Sequence, residues 1–285
     1  MGFMALEAYA KINLGLHILE KRTDGYHNIL TVFQQIDLHD TLSFRKTPSE
    51  INIVSSLSTL PSDESNLVYQ AFTVFKNAAS ISGGIEVHLE KRIPMGGGLG
   101  GGSSDAAATL KALNHLWGNR LTHKELFRLA GEIGSDVPFF LMGGTALGSG
   151  RGEILEPISL ENNYWIVLLL PNVSVSTAWA YRQAKIPLTK DEKCVTFRSL
   201  FEKGTLQSFR TDLINEFEEV VFERHPQLRS LKSRLYKEGA FYASMSGSGS
   251  TIYGLFYEEK EARAALAFFS SMDDVTACLS RPISS

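Results

Sequence analysis

Pro94-Met-Gly-Gly-Gly-Leu-Gly-Gly-Gly-Ser-Ser104 is the stretch on which the reading of this chain turns. Gly96, Gly97, Gly98, Gly100, Gly101 and Gly102 leave only Leu99 with a side chain between residues 96 and 102. Without a Cβ, successive residues can point their backbone N–H groups into one concavity, and such a nest suits an anion. Upstream, Ile85, Val87 and Leu89 alternate with polar neighbours as a half-buried strand does. Downstream, Ala106, Ala107, Leu110, Leu113 and Trp117 recur at helical spacing, which predicts a helix from Asp105 to Trp117. A glycine loop feeding a helix N-terminus is the arrangement that holds phosphate oxygens. Ser103 and Ser104 add hydroxyls within reach of phosphate oxygens or Mg2+. The loop has no lysine, so Lys91, Arg92, Lys11 and a divalent cation are the candidates for countering phosphate charge.

Two nucleotide motifs fail against this loop. Gly96-x-Gly98-x-x-Gly101 satisfies the dinucleotide spacing, but Pro94 and Met95 intervene after the strand, and no ribose-binding acid followed by a second strand stands about 20 residues on. The nucleoside triphosphate P-loop requires Lys after its last glycine, where Ser103 stands. A flexible linker is the bland alternative. The clean strand before the loop and the Ser-Ser-Asp helix start after it argue against that.

Outward from the loop, the first ninety residues read mostly as strands. Ile12, Leu14, Leu16 and Ile18 alternate with smaller or polar neighbours, and Thr31–Asp37 and Thr41–Phe44 predict two more strands joined near His39 and Asp40. Asn66 to Lys76 carries Leu67, Ala71, Val74 and Phe75 at helical spacing. A second helix after the loop starts at Thr122, where Thr122 and Glu125 form a capping-box pattern, and stops at Gly134. Beyond the polar stretch at 159–163 the order is strand (165–170), helices (about 206–223 and 228–238), strands (241–245 and 251–256), helix (259–271) and strand (275–279). With the middle helices merged into one layer this is β-α-β-β-α-β, the ferredoxin-like order. The fold class is α+β in two domains, 1–158 and 159–285.

Composition narrows the function classes. The 285 residues suit two domains, and 44% hydrophobic with 21% charged residues describes a globular chain. Lys plus Arg number 28 against 31 Asp plus Glu, so no electrostatic footprint for nucleic acid is present. No apolar run approaches the roughly 20 residues of a membrane span. Cys194 and Cys278 have neither metal-ligand nor disulfide spacing, which suits a reducing cytoplasm. No obligate protein partner is evident.

Three segments together resemble the superfamily of galactokinase, homoserine kinase, mevalonate kinase and phosphomevalonate kinase. Pro94 to Ser104 with Ala106-Ala107 resembles its phosphate-binding motif, Ser246-Gly-Ser-Gly-Ser250 its third motif, and Ala8-Tyr-Ala-Lys11-Ile-Asn13-Leu-Gly-Leu16 its first. Arg22-x-Asp24-Gly25-Tyr26-His27 and Gly134-Ser-Asp136-Val-Pro-Phe-Phe140 are similar to segments of one branch, whose members phosphorylate a hydroxyl of 4-diphosphocytidyl-2-C-methyl-D-erythritol in the non-mevalonate route to isoprenoids. The resemblance implies an N-terminal ribosomal-protein-like α+β domain that binds ATP and carries catalysis, and a C-terminal ferredoxin-like domain that completes the substrate site. Ile186 to His225 carries no recognised motif.

Each candidate residue has a functional and a plain reading. Lys11 matches the catalytic lysine of the resembled kinases, and otherwise is a solvated strand lysine. Asn13 points to the same side of the strand. Asp136 matches the catalytic aspartate, and otherwise caps a short helix. Tyr26 and His27 follow a turn signal and otherwise decorate the surface. In the resembled branch the tyrosine stacks on cytosine, the histidine reads its edge, and Tyr181 stacks from the opposite side, with Trp179 as rival. Glu64-Ser-Asn66-Leu67 resembles the segment lining the adenine, and otherwise is a helix start. The resemblance therefore assigns Pro94, Met95, Gly96, Gly97, Gly98, Leu99, Gly100, Gly101, Gly102, Ser103, Ser104, Asn66, Leu67 and Lys91 to ATP, with Mg2+ carried by the nucleotide and Ser104 its candidate ligand. It leaves open whether Lys11 acts on Asp136 and the nucleophile or on the transferring group. Other readings are a kinase of the same superfamily acting on homoserine, mevalonate or a sugar, and a non-catalytic nucleotide-binding paralogue. Tyr26-His27 argues against the first, and the presence of both Lys11 and Asp136 against the second.

Overall fold

The computed structural model describes residues 2–160, 163–184, 197, 199 and 213–284. By compactness the chain forms two units, one of Met1–Ala10, Leu38–Met95 and Gly100–Gly143, the other of Lys11–Asp37, Gly96–Leu99 and Gly144–Ser285. The units interleave along the chain, because the two long N-terminal strands, β1 (Met4–Lys21) and β2 (His27–Thr47), each pass from one unit into the other.

In the first unit, β3 (Asn52–Ser55) lies parallel to β4 (Gly84–Glu90), which pairs antiparallel with Thr41–Thr47 of β2. Ile85, Val87 and Leu89 are buried, whereas His88 and Glu90 face solvent, so the predicted period-2 alternation holds. Helix α1 (Leu67–Ala78) buries Val68, Ala71, Phe72 and Phe75. Its neighbours are α2 (Gly101–Leu116) and α3 (His123–Ile133), and α4 (Val137–Met142) packs against both of these. Thr122 and Glu125 cap α3 reciprocally, as the sequence pattern required.

In the second unit, Thr31–Gln34 of β2 pairs with β5 (Thr145–Ser149), and β5 with β6 (Ile154–Pro157). A separate antiparallel sheet is built from β7 (Trp165–Pro171), β8 (Tyr242–Met245), β9 (Ile252–Phe256) and β10 (Val275–Ser280) in the order β10-β7-β9-β8. Helices α6 (Phe217–Arg224), α7 (Pro226–Lys237) and α8 (Glu259–Phe269) follow α5 (Thr177–Gln183) in the described chain. Their apolar faces, among them Val221, Leu228, Leu235, Ala262 and Phe269, bury against Val167, Leu169, Ala243 and Ile252 of the sheet. Order and direction are those of the ferredoxin-like fold.

Three expectations change. Thr31–Asp37 and Thr41–Phe44 are one strand, because no Gly or Pro breaks the chain between them and Asp40 is buried as an acceptor for the backbone of Arg92 and Ile93. The helix after the glycine loop begins at Gly101 rather than Asp105, after Gly100 in the left-handed region at φ 73°. Strands β3, β5 and β6 and helix α5 are additional; they are short, and β5 lies among glycines. The start of the helix expected at about Leu206, and Cys194, lie outside the described residues.

Candidate active site

In the second unit β1 carries Lys11 and Asn13 on one side, both nearly fully buried. Lys11 Nζ donates to Asn13 Oδ1 at 2.6 Å. Asn13 Nδ2 donates to Thr31 Oγ1 at 2.9 Å, and that hydroxyl donates to the Gly15 carbonyl at 2.6 Å. The Asn13 carbonyl receives the Tyr253 hydroxyl at 2.6 Å. Each of these bonds removes a degree of freedom from the lysine's partner, so the ammonium stands at a defined point, 5.4 Å from the Phe33 ring centre. The solvated-lysine reading is excluded by burial.

The Ser246–Ser250 turn lies beside this pair, with no room for a side chain at Gly247. A Cβ on Gly247 would stand 3.3 Å from Asn13 Oδ1 and 3.6 Å from Lys11 Nζ. Ser246 Oγ donates to the Gly98 carbonyl at 2.9 Å, Thr251 N to the Gly97 carbonyl at 3.2 Å, and Lys11 N to the Leu99 carbonyl at 3.0 Å. Loop residues 97–99, the turn and β1 are therefore fastened to one another. Gly98 has φ 77°, and a Cβ there would meet the Ser246 carbonyl oxygen at 2.1 Å. No other residue type fits that position.

In the first unit the loop's C-terminal half opens α2. Gly101 and Gly102 are helical, Gly100 provides no side-chain cap, and the first N–H groups of the helix have no partner within it. Gly102 is exposed, and Leu67 Cδ1 would be 3.5 Å from a Cβ placed on it. Asn66 caps α1: its Oδ1 accepts from Val68 N at 2.9 Å and its Nδ2 donates to the Pro61 carbonyl at 2.7 Å. Its plain reading as a helix start is thus observed, while Leu67 is the one of the pair beside the α2 start. Open backbone donors at a helix N-terminus, with exposed glycine in front of them, fit a nucleotide phosphate.

Mg2+ fits less directly. Ser104 is buried and its hydroxyl donates to the Tyr9 carbonyl at 2.7 Å, so the half-buried Ser103 is the better-placed hydroxyl. Among the described residues no group of three or more His, Cys, Asp or Glu side chains stands close enough to hold a metal.

Lys91 was expected to counter phosphate, but its ammonium is shared by two carboxylates of the protein. It pairs with Asp40, and with Asp105 Oδ2 at 2.9 Å. Burial lowers the Lys91 pKa, but Asp105 and Asp40 outweigh it and hold it above the ordinary lysine value. Asp105 is pushed up to about 8, chiefly by burial, with Lys91 opposing and the charge of Asp40 adding. Its Oδ1 is buried without a hydrogen-bond partner. Sequence reasoning missed this cluster; two acids at Asp40 and Asp105 carry no signal until the fold brings them to Lys91.

Asp136 occupies the N-cap position of α4, half-buried, and its side chain makes no capping bond. The capping explanation for this aspartate therefore falls away.

At the Asp24-Gly25 turn, His27 and Tyr181 stack with ring centres 5.1 Å apart and planes inclined by 13°. Tyr26 is exposed and lies 4.9 Å from the Arg151 guanidinium. Trp179 is instead covered by Arg224 at 4.6 Å, which separates it from its rival Tyr181. Burial, then the charge of Lys21, lowers the His27 pKa. At neutral pH its ring therefore offers one donor and one acceptor. A cavity of about 860 Å3 elsewhere in this unit, lined by Pro171, Val173, Leu231, Arg234 and Phe268, contains none of these residues. No described helix is long and apolar enough to cross a membrane.

Comparison with known proteins shows the family. Residues 66–144 match the model of the GHMP kinases N terminal domain and residues 197–274 that of the GHMP kinases C terminal domain. The chain is 41% identical over 274 residues to the 4-diphosphocytidyl-2-C-methyl-D-erythritol kinase of Thermodesulfovibrio yellowstonii, covering 93% of this chain and 94% of that protein. It is 42% identical to the enzyme of the same name from Enterococcus faecalis, with 90% of each chain covered. A crystal structure of 4-(cytidine 5'-diphospho)-2C-methyl-D-erythritol kinase superposes with a TM-score of 0.79 at 33% identity over 98% of this chain and 99% of that one. Homoserine kinase from Cytophaga hutchinsonii superposes at 0.70 over 97% of this chain and 94% of its own, but at 19% identity it speaks for the fold alone. The chain belongs to the 4-diphosphocytidyl-2-C-methyl-D-erythritol kinase family of the GHMP kinases.

Proposed function

We propose that the protein transfers the terminal phosphoryl group of ATP to a hydroxyl of 4-diphosphocytidyl-2-C-methyl-D-erythritol, in the non-mevalonate route to isoprenoid precursors. The observation that carries this reading is identity of 41% over 93% of the chain to an enzyme of that name, against 19% and 17% to homoserine and mevalonate kinases. ATP supplies the phosphoryl group and Mg2+ neutralises part of the charge on its oxygens. The chain's own task is alignment and charge placement, because phosphoryl transfer asks little covalent chemistry of a protein.

Backbone N–H groups of Gly101 and Gly102, with the Ser103 hydroxyl, hold phosphate oxygens at the α2 N-terminus. Leu67, Asn66, Pro94 and Met95 line the adenine, and Lys91 braces the helix start rather than meeting phosphate. Asp136 takes the proton of the attacking hydroxyl, a role open to a carboxylate without a capping duty. Lys11, oriented by Asn13, supplies positive charge at the reacting atoms. Asn13 also faces the sugar alcohol. Tyr26 stacks on the cytosine, and neutral His27, backed by Tyr181, reads its edge. Residues 1–158 thus bind ATP and carry catalysis, while 159–285 complete the substrate site. The enzyme works in the cytoplasm without nucleic acid, membrane or obligate protein partner.

An ATP-consumption assay comparing the cytidine diphosphate-linked methylerythritol with homoserine and mevalonate tests the reading. Turnover with either of the latter and none with the former overturns it.

A further inference from the structure

The segment Leu213–Glu218, where the sequence carries no recognised motif, binds the backbone of both β1 and the Ser246–Ser250 turn. Asn215 is 3% exposed. Its Nδ2 donates to the Met245 carbonyl at 2.7 Å and to the Gly247 carbonyl at 2.8 Å, and its Oδ1 accepts from Phe217 N at 3.0 Å. Both amide hydrogens and the amide oxygen are used, which only Asn at this length provides. Glu218 Oε1 accepts from Met245 N at 2.9 Å and from Ser244 Oγ at 2.9 Å, so the strand end before the turn is held at two further points. Toward β1, Leu16 N donates to the Ile214 carbonyl at 2.8 Å and Glu216 N to the Leu16 carbonyl at 2.9 Å. The Glu216 carboxylate accepts from Ile18 N at 2.7 Å. One short segment thus ties the strand that carries Lys11 and Asn13 to the turn that lies on them.

We propose that Asn215 is a positioning residue for phosphoryl transfer: its amide draws the Gly247 carbonyl inward and so presses the Ser246–Ser250 turn onto Asn13 and Lys11. The proposal rests on the reading of Lys11 as a catalytic residue. Gly247 has φ 56°, and a side chain there would run into this pair, since a Cβ would stand 3.3 Å from Asn13 Oδ1 and 3.6 Å from Lys11 Nζ. When the clasp is removed the turn rises, and the Lys11 ammonium loses the backbone wall beside it. Asn13 stays anchored at Thr31, so substrate binding survives while alignment of the ammonium does not. A misplaced charge at the reacting atoms lowers kcat and spares KM.

The test compares Asn215→Ala and Asn215→Asp with the wild type, with rates expressed per folded molecule from circular dichroism and thermal melts. Asn215→Ala should lower kcat at least tenfold and leave both KM values within threefold. In Asn215→Asp the carboxylate faces two carbonyl oxygens, which disfavours its charged form. Protonation restores one donor, so kcat relative to wild type should rise as the pH falls from 8 to 5.5, whereas the Ala ratio stays flat. A residue with a structural role alone would lower Tm and leave both ratios flat. A kcat within twofold of wild type in Asn215→Ala overturns the proposal, as does a KM that rises in proportion to the loss. If the alanine variant does not fold, Asn215→Ser, which keeps one donor, carries the same kcat and KM comparison. Lys11→Ala is assayed in parallel. Wild-type turnover there sinks the reading of Lys11, whereas loss there with normal turnover in Asn215→Ala sinks only the clasp.

Discussion

Lys11 and Lys91 are both lysines with buried side chains next to the glycine loop in sequence or structure, and the hydrogen bonds that aim them differ in kind. Lys91 is shared between the carboxylates of Asp40 and Asp105. Lys11 is aimed by the neutral amide of Asn13, itself anchored to Thr31. A lysine between two acids spends its charge inside the protein, where breaking the cluster costs about 3–5 kcal/mol. A lysine aimed by an amide is oriented without being neutralised by that contact. The same side chain thus meets two carboxylates in one place and an amide in the other; the carboxylates are distant in sequence, whereas the amide is two residues away and is fixed by the distant Thr31.

The largest effects separate the two. Lys11→Ala and Asp136→Asn should each cut turnover by at least about 100-fold while ATP still binds, and the double variant should lose much less than the product of the two. Steady-state rates with parallel nucleotide titrations measure this. Near-wild-type turnover in Asp136→Asn removes it as the base. Lys91→Met should do the reverse. We expect a loss of about 3–5 kcal/mol in urea denaturation, with kcat per folded molecule little changed. A stable Lys91→Met enzyme with collapsed kcat would erase the distinction.

Next in size are two glycine substitutions in the loop. Gly98→Val places a Cβ 2.1 Å from the Ser246 carbonyl at a backbone φ of 77°, so it should destabilise the fold before any question of ATP arises. Gly102→Val meets only Leu67 Cδ1, at 3.5 Å, and keeps helical backbone. Its melting curve should stay near wild type while ATP affinity falls about tenfold, through a blocked approach to the α2 backbone. Unchanged affinity in folded Gly102→Val counts against the phosphate site.

What the sequence made legible follows from how local each signal is. The alternation at Ile85–Leu89, the capping box at Thr122 and the helical face of Ala106–Leu113 depend on neighbours a few residues away, and each element formed, the last of them with an extra turn at its start. The glycine loop and the family motifs were legible because they are contiguous. The join expected at His39–Asp40 failed because burial of Asp40 is decided by residues 91–93, which local pattern cannot reveal. Asn215 was invisible for the same reason: it is one asparagine in a plain segment until the fold places the Met245 and Gly247 carbonyls before it. Short strands such as β3 and β6, four residues each, carry too few positions for a period to register.

The smallest effect sharpens the account of Lys91. Asp105 offers Oδ2 to Lys91, and its Oδ1 is buried without a partner, so the proton belongs on this carboxyl rather than on one with more donors around it. Its folded pKa of about 8, raised by burial and by Asp40 against the pull of Lys91, lies above the ordinary value of 3.8. A carboxyl raised in the fold binds its proton more tightly there than in the unfolded chain. Its favourable contribution is therefore complete below pH 4 or so and is lost as the pH rises through about 8. Asp105→Asn keeps an acceptor for Lys91, places an N–H where the proton sat, and cannot ionise. The variant should lose the part of the wild-type stability decline between pH 5 and 8.5 that this group causes. Urea denaturation of both proteins across that range measures it. An unchanged slope in Asp105→Asn would mean that another group carries the titration and that Lys91 is braced by two ionised carboxylates.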